Sequence, residues 1–213
     1  MKNVVKLFSH NKDSRVVITH AGGCCSLNLA SKESEHFLKE TLTSCILFAG
    51  LNDFNTKTSF TLRITRDLSV YCLVQEAQVQ LTFSPTFDDK RIKPKEHFTR
   101  KSTLSVTIGD FSGMHTSTIS AVASTFSEIL NFFSKQSEQL PTRFLIHESN
   151  PLLGAVIQPL PFADLDSVNV LSHTVVEQLD AINATSWGNQ PDTFGGIGTI
   201  LWDKQVNKCQ RIY

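Results

Sequence analysis

Hydrophobic residues recur along this chain with two different periods. Between Lys32 and Ala49, the residues Leu38, Leu42, Cys45, Ile46 and Ala49 fall at the spacing of one helical face, which predicts a helix. Ser31 is a candidate N-cap, and Gly50 stands where that helix should stop. A period of two then takes over. Thr58–Thr65 places Phe60, Leu62 and Ile64 on one face, Arg66–Asp67 interrupts, and Leu68–Gln75 and Val79–Phe83 continue as strands. Ahead of the helix, the β-branched run Arg15–His20 reads as a short strand. Together these segments predict a meander in which each strand pairs with its sequence neighbour.

Ser84–Arg100 breaks the pattern with a polar, basic stretch that reads as a solvated loop. Thr103–Ile108 alternates again, Gly109–Gly113 is turn chemistry, and His115–Val122 is the returning strand of a hairpin. Thr125 and Glu128 form a capping box opening a helix to about Lys135, with Phe126, Ile129, Leu130 and Phe133 on its face. Pro141 closes that connection before the strands Arg143–His147 and Leu153–Pro159. From Pro161 the character changes. Asp164–Ile182 reads as an amphipathic helix through Val168, Leu171, Val175, Leu179 and Ile182, and the Gly/Asn/Ser-rich stretch after it shows little periodicity. The predicted fold class is α+β: meandering, mostly antiparallel sheets packed by helices, followed by a helical linker-like segment. A boundary near Phe162 divides a body at 1–162 from that segment and an irregular tail at 163–213.

Composition narrows the functional classes. The 213 residues are 40% hydrophobic, enough for a chain of this size to bury about 70% of its unfolded surface. No apolar run approaches the roughly 20 residues of a membrane-spanning helix, and Met1–Ser9 is too short and polar for a signal peptide. Twenty Lys and Arg balance 20 Asp and Glu, whereas a nucleic-acid binder needs a basic field to displace counterions from phosphate. The expectation is a soluble, cytoplasmic protein whose partners are neither membranes nor nucleic acids. Fifteen Phe stand against two Tyr and two Trp. A Phe-packed interior is the plain explanation; the sharper one is a Phe surface that grips apolar segments of other proteins.

Candidate chemistry is sparse. The five cysteines, Cys24, Cys25, Cys45, Cys72 and Cys209, form neither C-x-C nor C-x-x-C, so no metal site arises from closely spaced thiolates. Cys45 and Cys72 sit in apolar patterns and read as small buried hydrophobes, while Cys24 and Cys25 follow Gly22–Gly23 and leave a redox or metal role open. The seven His belong to no metal or catalytic motif, and Gly195-Gly196-Ile197-Gly198 lacks the strand, lysine and helix of a phosphate loop. No catalytic constellation, metal or cofactor is expected, and enzyme is the less favoured class.

One segment is distinctive. Asn131–Ile146 reads NFFSKQSEQLPTRFLI, and its core from Gln136 to Thr142 closely resembles the signature of the heat shock protein 33 family, redox-regulated chaperones that hold unfolding proteins without ATP. Leu153–Pro161 resembles the family's G-x-x-x-Q-x-x-P strand, Ser59–Val74 its strand pair, and Lys32–Ala49 its early helix. The resemblance runs from about Val4 to Ile182. It departs at Arg63–Leu68, which lacks the family's turn glycines and proline, and at Met114-His115-Thr116, which replaces its Y-Q-G. Family members continue into a small domain whose C-x-C and C-x-x-C bind zinc; here Gln210 and Arg211 follow Cys209.

The resemblance therefore implies an ATP-independent holdase without the zinc switch, binding unfolded client polypeptides. Val168, Leu171, Val175 and Leu179 are the candidate client-binding residues. It also carries the family's capacity to form a homodimer through the body. The competing expectation is a degenerate member that acts as a specific protein-interaction scaffold.

Overall fold

Helix α1, Lys32–Leu51, is buried along most of its length. The computed structural model describes residues 3–23, 27–52, 56–98, 101–110, 112–184, 194, 197–204 and 207–211. Ser31 caps α1 as expected, accepting from the Ser34 N–H at 3.2 Å. The helix runs through Gly50 rather than stopping there, and its burial is wider than the single predicted stripe. Thr41, Thr43, Ser44, Leu47 and Phe48 are buried together with the expected face, because α1 lies between two sheets and has little free side. Two of the buried hydroxyls find main-chain acceptors: Thr41 Oγ1 donates to Phe37 O at 2.8 Å and Thr43 Oγ1 to Pro151 O at 2.7 Å.

The first sheet has the order β10-β1-β2-β9-β8. Its strands are β1 (Val4–Ser9), β2 (Ser14–His20), β8 (Arg143–Ile146), β9 (Leu153–Pro159) and β10 (Gly198–Lys204), all antiparallel. The second sheet has the order β11-β5-β4-β3-β6-β7. It comprises β3 (Lys57–Arg63), β4 (Ser69–Gln75), β5 (Gln78–Phe83), β6 (Ser102–Asp110), β7 (Gly113–Ala121) and β11 (Asn207–Arg211). Only the β11–β5 pairing is parallel. The sequence patterns match the coverage of each sheet. β3 and β4 alternate because one face packs on α1 and the other meets solvent. β9 is buried at every position, because α1 covers one face and α4 (Leu165–Ala184) the other. The fold is α+β.

Three features depart from the sequence reading. β1 was not anticipated, since VVKLFS shows no alternation; it is buried on both faces. The polar stretch 84–98 carries a 3-10 turn (Pro85–Asp88) and a short helix α2 (Pro94–Phe98). These bury Phe87 and Phe98 against Phe37, with ring centroids 5.9 and 5.5 Å away. The irregular tail is instead strand at 198–204 and 207–211, because the open edges of β1 and β5 supply main-chain partners that a weak side-chain pattern does not reveal.

The segment with the family resemblance begins where α3 (Phe126–Phe133) passes into a π turn, Ser134–Glu138. Gln139 then takes a left-handed φ of 57° and closes the turn on Ser134 O. Thr125 accepts from the Glu128 N–H at 3.2 Å, as the capping box requires, while the Glu128 carboxylate accepts from the Ser124 N–H at 2.6 Å. The Phe surplus is largely core: Phe48 alone packs against Phe60, Phe133 and Phe144. Cys45 and Cys72 are buried as expected, and burial pushes the Cys45 thiol up. Cys24 and Cys25 lie outside the described residues. Gly154 sits against the neighbouring strand, since a Cβ there would stand 2.8 Å from Ile146 Cδ1 and 3.0 Å from Leu145 O.

Two stability predictions follow from this core. Lys6, buried on β1, donates through Nζ to Leu51 O at 2.6 Å and Asn52 O at 3.1 Å, neutralising the carbonyl end of α1. Lys6→Met strands those acceptors and should cost about 2 kcal/mol, lowering the melting temperature by roughly 4–8 °C in a calorimetric scan. Glu138 behaves oppositely. Burial pushes its carboxyl above the ordinary 4.5, and Oε2 has no protein partner among the described residues. Its neutral form suits the fold, so this contribution is present at low pH and is lost as pH rises through the raised pKa. Glu138→Gln should therefore melt higher than the parent at pH 7, with the gap closing below pH 4.5.

Candidate functional site

The sheet face opposite α1 carries its own apolar cluster. Val5, Leu7, Val16, Ile18, Leu153, Ala155 and Ile157 project from β1, β2 and β9, and α4 lies over them with Val168, Val175, Leu179 and Ile182 buried. Leu171 packs at the margin, half-buried. Three of the four sequence candidates, Val168, Val175 and Leu179, are therefore internal here and face the sheet. The structure brings all four to one interface, with the sheet residues as their counterparts. Asp164 opens the helix by accepting from the Ser167 N–H and Oγ at 2.9 Å, and these bonds hold its carboxyl below the usual range.

The two edges of α4 differ. Toward β8, four side-chain contacts fasten it. Arg143 Nη1 donates to Asn169 Oδ1 at 2.8 Å and Ser172 Oγ at 3.3 Å. His147 Nε2 meets Asp180 Oδ1 at 3.2 Å, and Asn150 Nδ2 donates to Asn183 Oδ1 at 3.0 Å. Sequence reasoning missed this latch because it joins residues about 30 positions apart, with no local motif. The one available sign was Arg143, a charge placed on the face of β8 that neighbouring apolar residues mark as inward. Toward the β1–β2 turn, α4 borders a cleft of about 370 Å³ lined by His10, Asn11, Asp13 and Thr174 among others.

The outer side of α4 is unusually apolar. Phe162, with a left-handed φ of 77°, is fully exposed, and Leu165 and Val170 are 62% and 67% exposed. With Val176 these make half of the exposed large apolar side chains among the described residues. Among the described residues no group of three or more His, Cys, Asp or Glu could hold a metal ion. No helix among them is long and apolar enough to cross a membrane.

Fold and site together define a class: an α+β scaffold in which an amphipathic helix lies across an apolar sheet face. A family model described as Hsp33 protein matches residues 2–205, and the chain belongs to that family, one of chaperones. The match reaches beyond Ile182, where the resemblance in the sequence ended, to include β10. A solved structure is similar throughout: the 33 kDa chaperonin (heat shock protein 33 homolog) of Thermotoga maritima, with a TM-score of 0.64 over 100% of this chain and 81% of that one. At 12% identity the likeness is one of fold. No curated protein matches the sequence.

The latch predicts where the molecule loosens first. Arg143→Ala removes two contacts from α4 and none from α1. Amide exchange over 165–184 should quicken by about fivefold to tenfold while α1 amides keep their protection. Uniform acceleration in both helices would show that Arg143 supports global stability instead.

Proposed function

We propose that this protein is an ATP-independent holdase that binds unfolded polypeptides and keeps them from aggregating. The observation that carries the reading is the apolar face under α4, backed by a helix whose own outer surface is already apolar at Phe162, Leu165 and Val170. Lifting α4 exposes two complementary surfaces, the sheet cluster and the Val168, Leu171, Val175 and Leu179 stripe. Either gains by covering an apolar client segment, with affinity from buried area. In this reading the division near Phe162 is functional: residues 1–162 form the platform and α4 is the part that moves.

The sequence contains no C-x-C or C-x-x-C pair, so the reading assigns release of α4 to temperature rather than to loss of zinc. Most of the stability of such a helix comes from packing its amphipathic face, and its hold on the sheet weakens as chain entropy gains weight on heating. Light scattering of a heat-unfolding client tests this under reductant and under peroxide. Suppression of aggregation should be equal in both, and stronger after the protein is warmed. Absence of suppression in either condition would sink the holdase reading and leave a scaffold for one specific partner. Suppression only under peroxide would return the redox switch.

A further inference from the structure

Both faces of the first sheet are covered, but one of its edges is open. β8 ends the strand order, and along its outer side runs a groove of about 920 Å³. Phe144, Leu145 and Ile146 form its floor. His36 on α1 and Asn131 on α3 stand on one wall, and Val176 and Leu179 on α4 stand on the other. The groove is thus open while α4 is still in place.

Two hydrogen bonds fix which main-chain groups face it. The Phe144 N–H turns away from β9 and donates to Asn131 Oδ1 at 3.0 Å. The His147 N–H turns into the sheet, toward Leu153 O at 3.0 Å. Alternation along a strand then aims the N–H and C=O of Ile146 outward, into the groove, where no described residue meets them. Asn131 does for Phe144 what a neighbouring strand would do, and the next pair of groups is left free. Such an edge is a template for an extended chain, which alone supplies both a donor and an acceptor at strand spacing.

The rim adds a charge preference. Glu40, Glu128, Glu148 and Asp180 border the groove against one lysine, Lys95. Glu40 already accepts from Ser127, and Glu128 from Ser124, but neither bond removes the negative charge. We infer that this groove takes an extended polypeptide segment carrying apolar and basic side chains, added to β8 as a further strand. The inference deepens the holdase reading, on which it rests for the source of such segments, by assigning a main-chain grip to the β8 edge, beside the face under α4 and sharing Leu179 with it.

The test uses the whole chain and labelled peptides of about nine residues, the length of a long strand. One alternates Val and Lys, a second alternates Val and Glu, and two more are the Val/Lys peptide N-methylated at odd or at even amides. Fluorescence anisotropy should show the Val/Lys peptide binding, with one methylation pattern weakening it about tenfold and the other leaving it nearly unchanged. Glu148→Lys, an exposed change on the rim, should weaken Val/Lys binding about threefold without moving the melting temperature. Equal binding of both methylated forms with the parent would overturn strand addition, and equal binding of Val/Glu would overturn the charge preference. A dimer in sedimentation that Ile146→Pro dissolves and the peptide does not disturb would give the edge to a second copy instead. The client-aggregation assay separates the two readings. Suppression without any methylation effect removes the groove and keeps the holdase; selective strand binding without suppression does the reverse.

Discussion

Enclosing α1 between two sheets imposes a condition on everything around it. A helix in the open can leave its terminal N–H and C=O groups to water, but α1 must find partners for them inside the protein. Ser31 serves the N-terminal end and the Lys6 ammonium serves the C-terminal end. The second solution ties β1 to the helix, and β1 holds β2 on one side and β10 on the other. The polar repair of one helix end therefore also fixes how the N-terminal and C-terminal parts of the chain meet in one sheet. The aromatic cluster around Phe48 completes the enclosure by joining α1 to β3, α3 and β8.

That arrangement leaves an imbalance. The second sheet has one face on α1 and presents a hydroxyl-rich face to water, with Ser105–Thr118 and Thr107–Thr116 paired across its strands at 2.9 and 2.8 Å. The first sheet has apolar residues on both faces, so its second face needs a cover. α4 supplies it at a different level of commitment from α1. Its inner stripe is buried apart from Leu171 at the margin, a polar latch fastens it toward β8, and its outer side carries exposed apolar groups. The holdase reading takes such an element to open before the core does.

The sequence made the alternating strands, α1, α3 and α4 legible because each has a clear period and, for α1 and α3, a cap chemistry that the structure reproduces at Ser31 and Thr125. What stayed hidden had no period to show. β1 is buried on both faces and so does not alternate, and β10 and β11 are held through main-chain pairing. Phe87 and Phe98 were obscured by the charged residues between them, although their burial against Phe37 is what anchors that segment. The stripe Val168, Leu171, Val175 and Leu179 was readable as an amphipathic face. Its counterpart was not, because it joins Val5 and Val16 of the first two strands to Ala155 of β9, far along the chain. The same holds for the Arg143 and His147 latch.

The distinctive segment Gln136–Thr142 gains a physical meaning from these placements. It is neither buried core nor an exposed reactive loop. The π turn at Ser134–Glu138, the left-handed Gln139 and Pro141 together stop α3 and reverse the chain within a few residues, so that Arg143–Ile146 enters as the last strand of the sheet. A change of phase by one residue would exchange Arg143 and Leu145 with Phe144 and Ile146 across the sheet. Phe144 would then leave the cluster around Phe48, and Arg143 would lose Asn169 and Ser172. The segment acts as a register device. It sets, in one stroke, the packing of β8 on the core, the polar hold on α4 and the direction of the open main-chain groups at Ile146.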